Sequence, residues 1–266
     1  VEVSFSNVCN FKCAYCGPNF SSKWVEEIKE HGPYKLDQML FNGGSDVVTQ
    51  VRNNEDNPYT DAFWKWFPKA KDNMHTFRIT GGEPLLSKHT FKVIDQLIAE
   101  PNPDLEFAIN SNGNVPDKLW KKFVVKIREL QEKKCVKDFT LYTSAEATGK
   151  QCEYIRDGMN WDQFKDNINY FLDNTPDTKV TYMSAFNLLS APSFLGFLKY
   201  VLSVKRTYNS CGLQSWVKED TVVDLNKFKT LSNPQTVRPS KKSFKRVYID
   251  IPYVRSPEFL DARNLT

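Results

Sequence analysis

Cys9-Asn10-Phe11-Lys12-Cys13-Ala14-Tyr15-Cys16 places three thiols within eight residues. The segment before it, Val1-Glu2-Val3-Ser4-Phe5, alternates apolar and polar side chains as a strand does. The C-x3-C-x2-C spacing therefore sits in a loop at a strand's end. Three thiolates there can hold three irons of a [4Fe–4S] cluster, which normally takes four cysteines. The iron without a thiolate stays open to a non-protein ligand, as a catalytic metal keeps an open position. A zinc site, a cluster completed by a distant cysteine, and buried small hydrophobes are the other readings. Zinc needs a fourth ligand, and His31, His75 and His89 are all remote in sequence. Cys135, Cys152 and Cys211 are scattered, as structural cysteines are. A disulfide framework would spread its cysteines through a smaller chain, so a reducing, cytoplasmic setting is expected.

Strand and helix patterns alternate along the rest of the 266 residues. Strands are expected at 76–80, 105–109, 139–143, 180–183 and 247–251. Helices are expected at 22–31, stopped by Gly32-Pro33, and from Ser87, Pro116, Asn160 and Pro192. Leu195, Leu198, Val201 and Leu202 are taken as the apolar face of the last. Six strands separated by helices argue for a parallel sheet with right-handed crossovers. A partial or closed barrel and an open doubly wound sheet both fit the periodicity. Either places the site at the carboxyl ends of the strands. One domain over 1–266 is expected, with insertions at about 32–75 and 209–246. The first holds the turn Asn42-Gly43-Gly44-Ser45 and an aromatic helix around Phe63–Phe67, stopped by Pro68 and packed on the core rather than serving as a lid. The second holds Lys241, Lys242, Lys245 and Arg246, expected to be a solvated loop.

Composition narrows the function classes. No apolar run approaches 18 residues, so no membrane span is expected, and no signal peptide is visible. A net charge of +4, dispersed over this length, argues against nucleic acid as a partner. The chain opens on Val1 already in a strand pattern, so a piece trimmed at one or both ends is expected.

A second motif, Gly81-Gly82-Glu83-Pro84, follows the strand Phe77-Arg78-Ile79-Thr80. Its glycines allow positive φ and close backbone approach to a ligand, and its carboxylate can accept from an ammonium. Alone, it also reads as an ordinary β-to-α turn. With CNFKCAYC, it resembles the radical S-adenosylmethionine (radical SAM) superfamily: a cluster motif with an aromatic residue before its last cysteine, then a glycine-rich motif after the second strand. The resemblance runs over nearly the whole chain and implies an α/β fold, a partial (β/α)6 TIM-like barrel with parallel strands. It implies that Cys9, Cys13 and Cys16 ligate a [4Fe–4S] cluster and that S-adenosyl-L-methionine (SAM) chelates the open iron. Tyr15 would lie near the adenine, and Gly81, Gly82 and Glu83 would hold the methionyl ammonium. Asn112 ends the third strand in Asn110-Ser111-Asn112-Gly113, like the family's polar strand end, although a plain Asn-Gly turn explains it equally. Ser144 and Glu146 match a Ser-x-Asp end that meets the ribose, with Glu in place of Asp. Arg156 falls where relatives put an arginine on the SAM carboxylate; a solvated helix arginine is the alternative. Asn187 would reach SAM or cap its own turn.

The resemblance implies an enzyme. One electron cleaves SAM to methionine and a 5′-deoxyadenosyl radical, which takes hydrogen from a peptide or small-molecule substrate. It also implies an electron donor such as flavodoxin or ferredoxin. Many relatives that act on peptides carry SPASM or twitch extensions with auxiliary-cluster cysteines. Here only Cys211 follows Cys152. A non-catalytic Fe–S or zinc protein on the same barrel, and a nucleobase- or RNA-modifying radical SAM enzyme, are the alternatives.

Overall fold

The structure is a computed structural model and describes residues 1–32, 57–209, 245–252, 254 and 260–264. Asn42–Ser45, Cys211, Lys241 and Lys242 lie outside the described residues.

Six strands form one sheet: β1 (Glu2–Ser4), β3 (Thr76–Thr80), β4 (Asn102–Ser111), β5 (Val136–Ser144), β7 (Lys179–Met183) and β8 (Val247–Asp250). All neighbours pair parallel, in sequence order. A doubly wound sheet reverses direction partway along its strand order. This one never does, so right-handed crossovers put every helix on the same face, as in a TIM-like barrel. Among the described residues β1 and β8 do not pair, so the barrel is partial.

The crossover helices are α1 (Ser22–His31), α2 (Pro58–Ala70), α3 (Lys88–Ala99), α4 (Asp117–Glu132), α5 (Gly149–Ile155), α6 (Trp161–Asn174) and α7 (Phe194–Tyr208). Side-chain caps fix several starts: Ser21 accepts from Lys23 N–H, Ser87 from His89 N–H and Asn160 from Gln163 N–H. Alternation along the strands then sets the two faces. Phe77, Phe107 and Phe139 are register partners on β3, β4 and β5, fully buried, with ring centroids 5.9 and 5.5 Å apart. Phe123 of α4 and Phe171 of α6 close over them. The opposite face is polar: Arg78 donates through Nε to Asn110 Oδ1 at 2.8 Å and lies 4.3 Å over the Tyr142 ring.

Three expectations are corrected. Helix α2 runs through Pro68 to Ala70. Proline removes one helical N–H, but Phe63 and Phe67, one turn apart before it, are buried against Phe5 and Phe77, and that packing outweighs the lost bond. The core-packed reading of this aromatic segment therefore holds. On α7 the buried face is Phe197, Val201 and Val204, while Leu195 and Leu202 are exposed. Both stripes have helical spacing, and the one with a ring to set against Tyr182 is inside. Arg246 is buried rather than solvated: its guanidinium donates to the carbonyls of Leu172, Thr175 and Thr178 and ties the end of α6 to the start of β8.

Candidate functional site

The cysteine loop leaves the carboxyl end of β1 and returns into α1. Helix α1 fastens it, with Ser21 Oγ donating to Phe11 O at 2.5 Å and Cys9 N–H donating to Ser22 Oγ at 3.1 Å. Trp24 Nε1 donates to Cys13 O at 3.0 Å. A two-residue ladder holds the other side: β2 (Lys12–Cys13) pairs antiparallel with β6 (Arg156–Asp157), Cys13 opposite Arg156. Gly158, at φ +102°, lets Asn10 O and Phe11 pack against it; a Cβ there would lie 2.6 Å from that oxygen.

Cys9, Cys13 and Cys16 are free, partly buried thiols. Burial pushes Cys9 up to about 11 and Cys13 and Cys16 up to about 12. Without a cation the loop favours neutral thiols, and a bound iron would supply the charge that deprotonates them. No three His, Cys, Asp or Glu side chains among the described residues converge closely enough for one metal ion. A cluster asks something different, one thiolate for each of three irons, and the residues present fit it better than zinc. Cys135 and Cys152 are buried, the latter with its sulfur 3.4 Å from Met159 Sδ.

The glycine motif lies against this loop. Beyond the paired ends of β1 and β3, Gly82 N–H donates to Ser6 O at 3.1 Å and Glu83 N–H to Val8 O at 2.8 Å. A Cβ on Gly82 would fall 2.4 Å from Val8 O, and one on Gly81, at φ +132°, 2.7 Å from Ser6 O. These glycines permit a close approach of the chain's own backbone. Glu83 is 1% exposed. Its Oε1 accepts from Leu85 N–H at 3.0 Å and Ser111 Oγ at 2.9 Å, and its Oε2 from Asn112 N–H at 2.7 Å. Burial still pushes its carboxyl up to about 7 against those three bonds.

Asn112 carries the connection onward. Its Nδ2 donates to Asn10 Oδ1 at 2.8 Å, and its Oδ1 accepts from Asn114 N–H at 2.9 Å. Asn10 Nδ2 donates to Asn114 O at 2.9 Å, and the Asn114 side chain pairs with the Asn160 backbone. Asn10, Asn114 and Gly158 escaped the sequence reading, because single polar or glycine residues in loops carry no periodic signal.

Glu146 and Arg156 are buried beside Cys13, with the partly buried Tyr15 against them. Arg156 donates from Nε at 3.0 Å and Nη2 at 2.7 Å to Glu146 Oε2, which also accepts from Tyr15 Oη at 3.2 Å. The guanidinium lies 5.3 Å from the Tyr15 ring centroid. At 5% exposure, Arg156 is no solvated helix arginine. Burial pushes Glu146 up, with Arg156 the main opposing influence. Among the described residues, Glu146 Oε1 is buried with no hydrogen-bond partner, as are Thr143 Oγ1 and Ser184 Oγ at the carboxyl ends of β5 and β7. Ser144 ends β5 opposite Met183. Asn187 stays apart from this group: its Nδ2 donates to Ala185 O and its Oδ1 accepts from Ser190 N–H, capping its own turn.

Curated relatives and solved structures resemble parts of this chain. Over 113 residues, 42% of this chain, it is 26% identical to the GTP 3′,8-cyclase of Nautilia profundicola, covering 27% of that protein. It is 26% identical over 113 residues to the GTP 3′,8-cyclase of Mycobacterium marinum, covering 24% of it. The chain thus spans about a quarter of the length of these curated relatives. Among solved structures, Streptococcus suis SuiB bound to its precursor peptide SuiA is 17% identical, with TM-score 0.45 over 76% of this chain and 36% of that one. AdoMet-bound anSMEcpe is 14% identical, with TM-score 0.47 over 78% and 49%. Residues 3–186, from β1 to just past β7 and including both motifs, match the family model of the radical SAM superfamily, whose members use a [4Fe–4S] cluster and SAM, and this chain belongs to that superfamily.

Proposed function

We propose that this chain is the catalytic core of a radical SAM enzyme, with Cys9, Cys13 and Cys16 as the ligands of its [4Fe–4S] cluster. The observation that carries the reading is the loop of three free thiols at the carboxyl end of β1, braced by the Gly81-Gly82-Glu83 segment at the carboxyl end of β3. When bound, the cluster and SAM supply a one-electron cleavage of the sulfonium and a 5′-deoxyadenosyl radical that takes hydrogen from substrate. The protein's share is to bind, orient and shield. Gly81, Gly82 and Glu83 are assigned to the methionyl end of SAM, with Glu83 also holding Ser111 and Asn112 in place. Tyr15 is assigned to the adenine side, Ser144 and Glu146 to the ribose, Arg156 to the SAM carboxylate, and Asn112 to the rim. The unpartnered Thr143 Oγ1, Glu146 Oε1 and Ser184 Oγ support a polar ligand at this end of the sheet.

The substrate is assigned to the polar sheet face around Arg78, Asn110 and Tyr142, whose side chains suit a polar organic molecule. A peptide or small molecule is the broad class. A nucleotide is the second reading, favoured by the two GTP 3′,8-cyclase relatives. The test is anaerobic. The protein is reconstituted with iron and sulfide and given SAM and dithionite, and 5′-deoxyadenosine is measured by mass spectrometry. Product from wild type and none from Cys16→Ala supports the reading. A wild-type [4Fe–4S] spectrum with neither SAM binding nor product refutes it. Deuterium transfer into 5′-deoxyadenosine from labelled GTP, set against labelled peptides, separates the substrate classes.

A further inference from the structure

We propose that Arg156 is a positioning residue that raises the reduction potential of the cluster bound through Cys13, and that Glu146 aims it there. The inference rests on the reading of Cys9, Cys13 and Cys16 as cluster ligands.

The side chain is fixed at both ends. Its backbone is the register partner of Cys13 in the β2–β6 ladder, and Ala14 N–H donates to Ile155 O at 2.8 Å beside that pair. Its Nε and Nη2 are both taken by Glu146 Oε2, and the Tyr15 ring covers the guanidinium. The remaining nitrogen, Nη1, lies 3.8 Å from Cys13 Sγ. A guanidinium keeps its charge at any accessible pH. At 5% exposure that charge is poorly screened by solvent.

A buried ion pair is a poor packing device, since desolvation offsets much of its attraction. This pair is also polarised: one carboxylate oxygen takes three donors, the other takes none among the described residues, and the cationic end points at the thiol. Reduction adds one electron to the oxidised cluster, drawn in the assay from dithionite, and no bond of the protein forms or breaks. A nearby cation and an N–H donor to a ligating sulfur stabilise the more negative, reduced cluster more than the oxidised one.

The experiment is a redox titration without SAM, followed by electron paramagnetic resonance, on reconstituted wild type and three variants. Arg156→Gln is expected to make reduction at least tenfold less favourable, a shift of about 59 mV to more negative potential for one electron. Glu146→Gln is expected to shift it the other way, because the carboxylate charge goes while the guanidinium stays. Arg156→Lys keeps the charge but not the fork and should fall between wild type and Arg156→Gln. Opposite shifts support the proposal; a merely structural pair would perturb both variants alike. Shifts in the same direction overturn it, as does Arg156→Gln at wild-type potential with a full iron complement. If Arg156→Gln takes up no cluster, Arg156→Lys decides: a negative shift supports, an unchanged potential overturns. Failure of wild type to show a [4Fe–4S] spectrum is a different result, and defeats the cluster reading itself.

Discussion

Gly82→Ala should damage the cluster loop without touching a cysteine. Gly82 has no left-handed backbone to protect, so the whole effect comes from space. The new Cβ would sit 2.4 Å from Val8 O, 2.6 Å from Asn7 O and 2.7 Å from Asn7 C. Ordinary contact begins at about 3.5 Å, so the loop backbone must move by about 1 Å. It is not free to do so: Val8 O accepts from Glu83 N–H at 2.8 Å and Asn7 O from Ser22 N–H at 2.9 Å. Overpacking of this kind costs about 1–3 kcal/mol, and a strained backbone bond adds about 1 kcal/mol. A loss of about 2–4 kcal/mol is therefore expected in urea unfolding of the reduced apoprotein, followed by circular dichroism. Iron bound per chain should fall with it, because the displaced carbonyl belongs to the residue before Cys9. Gly196→Ala is the control. It lies on an exposed helix position where the new Cβ would meet the Thr148 side chain, Oγ1 at 3.3 Å and Cγ2 at 3.9 Å, and should change stability by no more than about 1 kcal/mol, in the favourable direction if that hydroxyl turns aside. Should Gly82→Ala unfold like wild type and still lose SAM binding, the glycine serves a ligand and the backbone argument is refuted.

Three further outcomes follow from buried polar groups. Glu83 has its carboxyl raised to about 7 in the fold, against 4.5 as its ordinary value, so the native apoprotein binds the extra proton between those pH values and stability falls as pH rises through them. The drop, about 3 kcal/mol at most, should vanish in Glu83→Gln when unfolding midpoints are measured from pH 4.5 to 8. Asn114→Ala removes both side-chain bonds to the Asn160 backbone and should cost about 1–2 kcal/mol in urea unfolding; an unchanged midpoint would mean that water replaces them. Arg246→Ala takes its guanidinium donors from the carbonyls of Leu172, Thr175 and Thr178, of which Thr175 O keeps Thr178 N–H and Oγ1, and should lower stability by about 2 kcal/mol. Because Arg246 sits at the amino end of β8, far from the cysteine loop, iron uptake by the folded fraction should stay at the wild-type level.

Periodicity carried most of the fold. β3, β7 and most of β5 alternate buried and less buried residues, and Ser87 and Asn160 cap their helices as their positions suggested. Periodicity failed where two answers share one spacing. Two apolar stripes on α7 have helical spacing, and only packing on Tyr182 selects Phe197, Val201 and Val204. It failed again at Pro68, where a local breaker was overridden by rings buried from other elements. Arg246 belonged to a basic run by composition, yet its surroundings are carbonyl ends supplied by α6 and the residues before β7.

The site divides along the same line. The motifs were legible because each is contiguous: three cysteines in eight residues, two glycines and a carboxylate in three. What joins them was not, because each bond links residues distant in sequence. Glu83 reaches Asn112, Asn112 reaches Asn10, and Arg156 lies across a two-residue ladder from Cys13, too short for any period to register. This joining changes what the glycine motif is for. A group that only held a ligand could be altered without disturbing the cysteine loop. Here Gly82 and Glu83 also donate their own N–H groups to Ser6 O and Val8 O, in the segment after β1 that leads to Cys9. The two motifs are therefore one mechanical unit, and substitutions in the second should appear in iron content as well as in SAM affinity.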